Sequence, residues 1–227
     1  MSRRWWVLLG AAALVVVAVL VGLSVSGGSG GSSDETARLG GAAEANAEFA
    51  GLPQRGARVG RASAPVSITE YADLQCPFCA ELATETLPAI VDRWVRPGTV
   101  RMTFRTFEVI GQDSVTGARG AQAAALQNRL WPFVDLVYRN QGEENAGWLT
   151  NAFLVRVARQ VEGMDVPRFT ADLDSAAVQA AVEADQAAGA QQVRATPHLV
   201  ISGPHGTRVL EGFQTAEALD ATIESVR

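Results

Sequence analysis

Residues 64–79 read APVSITEYADLQCPFC, a strand-forming run that leads into two cysteines three residues apart. The β-branched and aromatic residues of the segment 65–74 predict a strand that begins at a proline. Proline is favoured in the first turn of a helix, so Pro77 predicts a helix with Cys76 at its N-cap. Cys76 and Cys79 are the two cysteines of this 227-residue chain. Two thiols one helical turn apart can form and reopen a disulfide, which predicts a redox dithiol.

The rest of the chain predicts an α/β domain. A strand, a helix and a second strand of this size form a right-handed unit with parallel strands. Residues 112–192 lack strand patterning and have helix-capping residues at Asp113, Thr150, Asp165 and Ser175, and Thr215 is a cap for a final helix. We predict helices at residues 77–95, 113–127, 131–140, 150–162, 166–173, 177–192 and 215–226, and further strands at 99–107, 197–202 and 207–211.

The two thiols are expected to differ in acidity. A free cysteine has a pKa of about 8.5, and the unpaired amides at a helix N-terminus favour the thiolate of Cys76. Cys79 lies one turn further in, where burial keeps the thiol protonated. We therefore expect Cys76 to attack and Cys79 to resolve the mixed disulfide. Glu70, on the preceding strand, is either a buried carboxylate that carries the Cys79 proton or an exposed strand-end glutamate without a role.

The N-terminal segment predicts a membrane anchor. Residues 5–25 are apolar or small and uncharged, long enough to span roughly 31 Å, about one hydrocarbon core. Arginines precede this segment and acidic residues follow it, which places the N-terminus in the cytoplasm and the remainder outside. The alternative is a signal peptide cleaved near residues 24–26. We divide the chain into a single-pass anchor at 1–26, a linker and lead-in at 27–60 and a folded extracytoplasmic domain at 61–227.

Composition argues against several other functions. The formal net charge of −5 argues against nucleic acid as a partner. Two thiolates can bind a soft metal cation, with His198 as a conceivable third ligand. We favour the simpler interpretation that His198 is a polar residue at the mouth of a groove, and we predict neither a metal nor a cofactor.

Two segments carry a family resemblance. Residues 64–79 and residues 193–203, which read VRATPHLVISG, resemble the DsbA-like thioredoxin-fold thiol-disulfide oxidoreductases. The resemblance covers roughly residues 60–227 and includes the long helical block. It implies an α/β thioredoxin fold with a four-stranded mixed sheet, in the order 2-1-3-4. A helical insertion at about 112–192 would separate the second strand from the C-terminal hairpin.

The resemblance also assigns site residues. Cys76 matches the exposed nucleophile and Cys79 the resolving thiol, which together form the redox disulfide, and Glu70 matches the family's buried acid. Pro197 matches a cis-proline that faces the dithiol, although on sequence alone a cis bond is expected in only about 5% of cases. The preceding Thr196 would then pair with a substrate strand, and His198 would follow at the same loop.

The dipeptide between the cysteines departs from the family pattern. Strongly oxidising members carry Pro-His, whereas this chain has Pro77-Phe78. Phe78 has no ring N–H to stabilise a thiolate, so the disulfide is expected to be less oxidising.

We expect an extracytoplasmic enzyme that passes its disulfide to the thiols of exported proteins. The resemblance implies reoxidation by a DsbB-like or VKOR-like membrane partner, and we expect a monomer. A reductase or isomerase that uses the same dithiol is the main alternative. A metal-binding CxxC protein and a tethered chaperone with an inert disulfide are further alternatives.

Overall fold

The computed structural model describes residues 38–227, so the predicted membrane anchor and the start of the linker lie outside the described residues. Among residues 38–227, no helix is both long and apolar enough to cross a bilayer. The elements in chain order are α1 (Ala42–Phe49), β1 (Gln54–Arg55), β2 (Arg58–Val59), β3 (Val66–Ala72), α2 (Pro77–Glu81), α3 (Leu87–Ile90), β4 (Val100–Thr106), α4 (Gln112–Ala125), α5 (Leu130–Tyr138), α6 (Asn151–Ala158), α7 (Val166–Asp172), α8 (Ala176–Gly189), β5 (His198–Gly203), β6 (Gly206–Glu211) and α9 (Ala216–Val226).

The strands of the described region form one six-stranded sheet in the order β1-β2-β4-β3-β5-β6. β3 and β4 are parallel and pair from Val66↔Val100 to Ala72↔Thr106. β5 lies antiparallel on the other side of β3, and β6 completes the hairpin. The four predicted strands therefore occur in the predicted order, 2-1-3-4, and the thioredoxin-like architecture with its helical insertion is confirmed. Two short strands at the β4 edge extend the predicted sheet.

The prediction that the linker extends to residue 60 is wrong for residues 42–59. This segment forms α1 and the two extra strands, and Val59 pairs with Met102 at the sheet edge. The side chain of Phe49 is buried against Trp131, with ring centroids 5.7 Å apart. The segment has no sustained sequence periodicity because a few long-range apolar contacts, rather than a continuous amphipathic face, fix its position.

The helical segment that follows the cysteines is interrupted by wide turns. Residues Leu82–Thr86 and Val91–Val95 are π-helical and flank α3, where a single α-helix with a bend at Pro88 is expected from the sequence. Proline lacks an N–H and clashes with the carbonyl four residues earlier, and a wide turn before it relieves that conflict. The wide turn at Leu82–Thr86 thus has a local cause.

The helical insertion consists of α4 to α8. Thr150, Asp165 and Ser175 cap their helices as predicted, each accepting a backbone N–H three residues later. Asp113 does not, because Gly111 occupies the N-cap and the Asp113 carboxylate accepts from the Gly147 N–H at 2.9 Å.

A buried aspartate joins the insertion to the sheet. Asp185 on α8 accepts from Arg105 Nη1 at 2.6 Å, from the Thr106 N–H at 3.1 Å and from Gln122 Nε2 at 2.7 Å. These contacts link α8 and α4 to the end of β4. They fix the insertion at the carboxyl ends of β3 and β4, where the cysteine loop also begins.

Candidate active site

Cys76 occupies the N-cap of α2, directly after the loop that follows β3. Its backbone is extended (φ −71°, ψ 119°), and Pro77 begins the helix without needing an amide partner. The Cys76 carbonyl accepts from the N–H groups of Cys79 and Ala80, both at 3.1 Å. The predicted N-cap position is therefore confirmed, and the sulfur lies beside amides that have no partner within the helix.

The loop before β5 approaches this sulfur from the opposite side. The peptide bond between Thr196 and Pro197 is cis, the geometry that the resemblance implies. Cys76 Sγ donates to the Thr196 carbonyl oxygen across 3.3 Å, and the cysteine is 5% exposed. The two segments that carry the family resemblance thus meet at the thiol.

The surroundings of Cys76 favour its thiolate. A hydrogen bond from the Cys79 thiol, followed by hydrogen bonds from the Thr196 side chain and from the Cys79 and Phe78 amides, lowers the pKa of Cys76 to about 6 against the opposing effect of burial. At pH 7 the ionised form is then favoured roughly tenfold. Cys76 can act as a nucleophile and as a leaving group at neutral pH.

Cys79 has the opposite character. Its side chain is fully buried, and both thiols are free in this structure. Burial raises the pKa of Cys79 well above its usual value, and the hydrogen bond that it gives to Cys76 raises it further. A proton must therefore be removed from Cys79 before it can attack a disulfide.

Glu70 lies beneath the dithiol and is 1% exposed, so the alternative of an exposed strand-end glutamate is wrong. Neither of its carboxylate oxygens has a hydrogen-bond partner among residues 38–227. Burial, and secondarily the negative charge of Cys76, raises the pKa of Glu70 to about 8. A carboxyl group in this condition can exchange a proton near neutral pH.

Polar residues that no sequence pattern singled out hold the cysteine loop in place. The Asp73 carboxylate accepts from the Gln75 N–H at 2.9 Å and from the Val109 and Ile110 N–H groups at 2.8 and 3.1 Å. Asp73 thereby connects the loop after β3 with the loop after β4. The one available signal was the placement of an acidic residue inside a strand-to-helix junction that is otherwise buried.

The helical insertion holds the same loop from the other side. Gln75 is fully buried, donates to the Ser114 hydroxyl at 2.9 Å and accepts from the Asn145 N–H at 2.7 Å. Gln141 Nε2 donates to the carbonyls of Leu74 and Cys76, at 2.9 and 3.2 Å. The insertion therefore fixes the backbone that presents the reactive sulfur.

Two other predicted site residues lie in different settings. Phe78 is 56% exposed and points out of the fold beside the cysteines. His198 is buried, contrary to its expected place at the mouth of a groove, because it pairs with Tyr71 in the sheet and its ring packs on the Tyr71 ring. Its Nδ1 atom lies 3.5 Å from Glu211. No group of three or more His, Cys, Asp and Glu side chains in residues 38–227 is arranged to hold a metal ion.

Comparisons with known proteins agree with this geometry. The thioredoxin family model matches residues 54–225. The chain is 30% identical over 149 residues to the probable disulfide bond formation protein D of Bacillus cereus, across 64% of this chain and 69% of that protein.

Solved structures share the fold. The crystal structure of oxidised BdbD from Bacillus subtilis aligns with a TM-score of 0.67 at 21% identity, over 76% of this chain and 95% of that one. DsbA2 from Pseudomonas aeruginosa aligns with a TM-score of 0.57 at 25% identity, over 77% and 95%. The chain therefore belongs to the thioredoxin family, as a DsbA-like thiol-disulfide oxidoreductase.

Proposed function

We propose that this enzyme oxidises the thiols of exported proteins, with Cys76 as the sulfur that exchanges with substrate and Cys79 as the resolving thiol. The observation that carries this proposal is the position of Cys76 Sγ, at a helix N-cap and 3.3 Å from the carbonyl that precedes cis-Pro197. Both cysteines are buried, but Cys76 is 5% exposed and Cys79 is 0% exposed, which supports attack by an incoming thiolate on Cys76.

The reaction consists of two successive thiol-disulfide exchanges, and each one breaks one S–S bond and forms another. A substrate thiolate attacks Cys76 Sγ, the Cys76–Cys79 bond breaks, and Cys79 leaves as a thiolate that takes a proton from Glu70. A second substrate thiolate then attacks the substrate sulfur of the mixed disulfide, and Cys76 leaves as a stabilised thiolate. The substrate loses two electrons to the enzyme, and a membrane-bound oxidant of the DsbB or VKOR class removes them.

The acidity of Cys76 favours the oxidase over the reductase. Interactions that stabilise the thiolate stabilise the reduced enzyme, and a more stable reduced form makes the disulfide a stronger oxidant. Phe78 supplies no N–H to this thiolate, so a smaller oxidising power than that of family members with Pro-His remains our expectation. The exposed Phe78 ring would instead contact an apolar residue of the bound peptide, with Thr196 pairing to its backbone.

We place the enzyme at the outer face of the cell membrane. The uncharged run at residues 5–25, with arginines before it, supports a single-pass anchor with the N-terminus in the cytoplasm. The linker would then begin near residue 27 and end where α1 starts. The catalytic domain would act as a monomer.

The redox potential of the dithiol tests the direction of exchange. The reduced and oxidised fractions are measured after equilibration in glutathione buffers. A potential above about −230 mV supports disulfide donation, and a lower one supports a reductase. Cys79→Ser is first treated with oxidised glutathione, so that Cys76 carries a glutathione disulfide. A thiolate of a reduced exported protein should then attack Cys76 Sγ, release glutathione and leave a trapped mixed disulfide on Cys76. Failure of Cys79→Ser to form that adduct, while Cys76→Ser forms one, would reverse the assigned roles.

A further inference from the structure

A small cavity lies beneath Glu70. It measures about 10 Å³ as the space open to the centre of a water molecule, which corresponds to room for one water. Its polar lining comes from Glu70, Asp135 and Tyr138. Apolar side chains close the remainder, so a proton that leaves Glu70 through this cavity meets Asp135 as the next carboxylate.

Asp135 lines this cavity and carries one carboxylate oxygen without a hydrogen-bond partner among the described residues. It lies on α5 and is buried, and its Oδ2 atom accepts from Arg139 Nε at 2.7 Å. Its Oδ1 atom is also buried and has no hydrogen-bond partner within residues 38–227. A buried carboxylate oxygen without a partner is costly, and protonation of the carboxyl group lowers that cost.

Glu48 on α1 is a third carboxyl group, after Glu70 and Asp135, and lies nearer the surface. Its Oε2 atom lies 3.5 Å from Arg139 Nη2, and its Oε1 atom is buried without a partner among the described residues. Two carboxylates therefore share one guanidinium, and the Arg139 side chain is 20% exposed. Burial, with the negative charge of Asp135, raises the pKa of Glu48 to about 8. The pair can hold an exchangeable proton beside solvent.

We infer that Asp135 and Glu48 form a proton outlet that connects Glu70, and through it Cys79, to solvent at the α1 edge of the domain. When Cys79 attacks a mixed disulfide, its proton passes to Glu70 and then across the cavity to Asp135. From Asp135 it passes to Glu48, which shares the Arg139 guanidinium, and Glu48 releases it to water. The direction reverses when Cys79 leaves as a thiolate. The inference rests on the proposed roles of Cys79 and Glu70, and it makes Asp135 and Glu48 positioning residues that act through Glu70.

Other charges face these carboxyl groups and bear on any pH profile. The charges of Asp92 and Arg96 also shift the pKa of Glu48. The charge of Glu44 shifts the pKa of Asp135, and that of Cys76 shifts the pKa of Glu70. Of these, Glu44 is exposed and belongs to the same helix as Glu48. Glu44→Gln is therefore a matched control, since it removes one negative charge near Arg139 without altering the cavity.

The test separates attack on Cys76 from resolution by Cys79. Reduced protein is mixed with oxidised glutathione, quenched with acid at intervals and analysed by mass spectrometry for the mixed disulfide and the Cys76–Cys79 disulfide. We expect Asp135→Asn and Glu48→Gln to slow resolution by about tenfold at neutral pH, a fraction of the effect of a direct acid-base group. The rate at which the mixed disulfide forms should be unchanged in these two variants. Glu44→Gln should show the wild-type rates of both steps.

The pH dependence distinguishes a proton outlet from a structural role. Resolution in Asp135→Asn should regain the wild-type rate at high pH, where hydroxide removes the proton, whereas a distorted site would stay slow. If Glu70→Gln slows resolution but folded Glu48→Gln and Asp135→Asn do not, the outlet is wrong and the proposed function stands. If Asp135→Asn does not fold, Glu48→Gln decides. If no mixed disulfide forms on Cys76, the proposed function itself fails.

Discussion

Cys76 and Cys79 lie one helical turn apart, but the groups that surround their sulfur atoms are almost entirely different. Cys76 has the amides of α2, the Thr196 side chain and the Cys79 thiol as hydrogen-bond donors. Cys79 lies among buried groups above Glu70, whose carboxylate oxygens have no partner in the described chain. The first environment stabilises a negative charge, whereas burial in the second disfavours one and raises the pKa values of Cys79 and Glu70.

The largest expected effect comes from removing the stabilised sulfur. Cys76→Ala should lower oxidation of a dithiol peptide by ~10³-fold or more, because no other thiol is accessible to substrate. Cys79→Ala should abolish turnover yet retain formation of mixed disulfides, as measured by mass spectrometry after incubation with oxidised glutathione. Substantial turnover by Cys76→Ala would show that the two environments are not functionally distinct.

The second effect concerns the unpaired carboxyl group. The folded protein holds the pKa of Glu70 at about 8 against an ordinary value of 4.5, so folding favours its protonated form. The stability that this preference contributes is complete below about pH 4.5 and is lost as the pH rises through 8. Wild-type protein should therefore lose stability relative to Glu70→Gln across this window, by roughly 4 kcal/mol at most.

Urea unfolding of the reduced protein at about pH 4.5 and about pH 8.5 measures that difference. Glu85→Gln changes an exposed glutamate on the helical segment after the cysteines and is the matched control. A gap between wild type and Glu70→Gln that does not change with pH would mean that Glu70 does not titrate in this window.

A third test concerns the contact between the two environments. The hydrogen bond from Cys79 is the largest cause of the low pKa of Cys76, so Cys79→Ala should raise that pKa. A hydrogen bond to a charged group contributes about 1.5–3 kcal/mol, which corresponds to about 1–2 pH units. Cys79→Ser keeps a hydroxyl donor and should retain most of the effect.

The rate of Cys76 alkylation by iodoacetamide, measured against pH, gives the midpoint for each variant. Wild-type protein should show a midpoint near 6. Midpoints that stay near 6 in both the alanine and the serine variant would assign the acidity of Cys76 to the helix and to Thr196 instead.

Local chemistry explains what could be predicted from the sequence. The strand before the cysteines, the N-cap position of Cys76 and the cap at Ser175 each depend on residues a few positions apart. Glu70 could be placed on a strand, but its burial depends on Phe49 and Trp131, which line the cavity from distant parts of the chain. Contacts of this kind leave no periodic pattern, so α1 and the cavity had no signal in the sequence.

The smallest effect tests how the helical insertion supports the Cys76 environment. Gln141→Ala removes the hydrogen bonds to the Leu74 and Cys76 carbonyls and should lower the free energy of unfolding by about 1–2 kcal/mol. Gln179→Ala, on the exposed face of α8, should change it by less than about 0.5 kcal/mol.

Chemical denaturation of both variants, combined with the alkylation midpoint of Cys76, separates two ways in which Gln141 could act. If it only braces the loop, stability falls and the midpoint stays near the wild-type value, because the groups that lower the pKa of Cys76 belong to α2 and Thr196. A midpoint that rises together with the loss of stability would mean that the insertion also positions the amides of α2 against the sulfur. The favourable environment of Cys76 would then depend on the helical block as much as on the thioredoxin core.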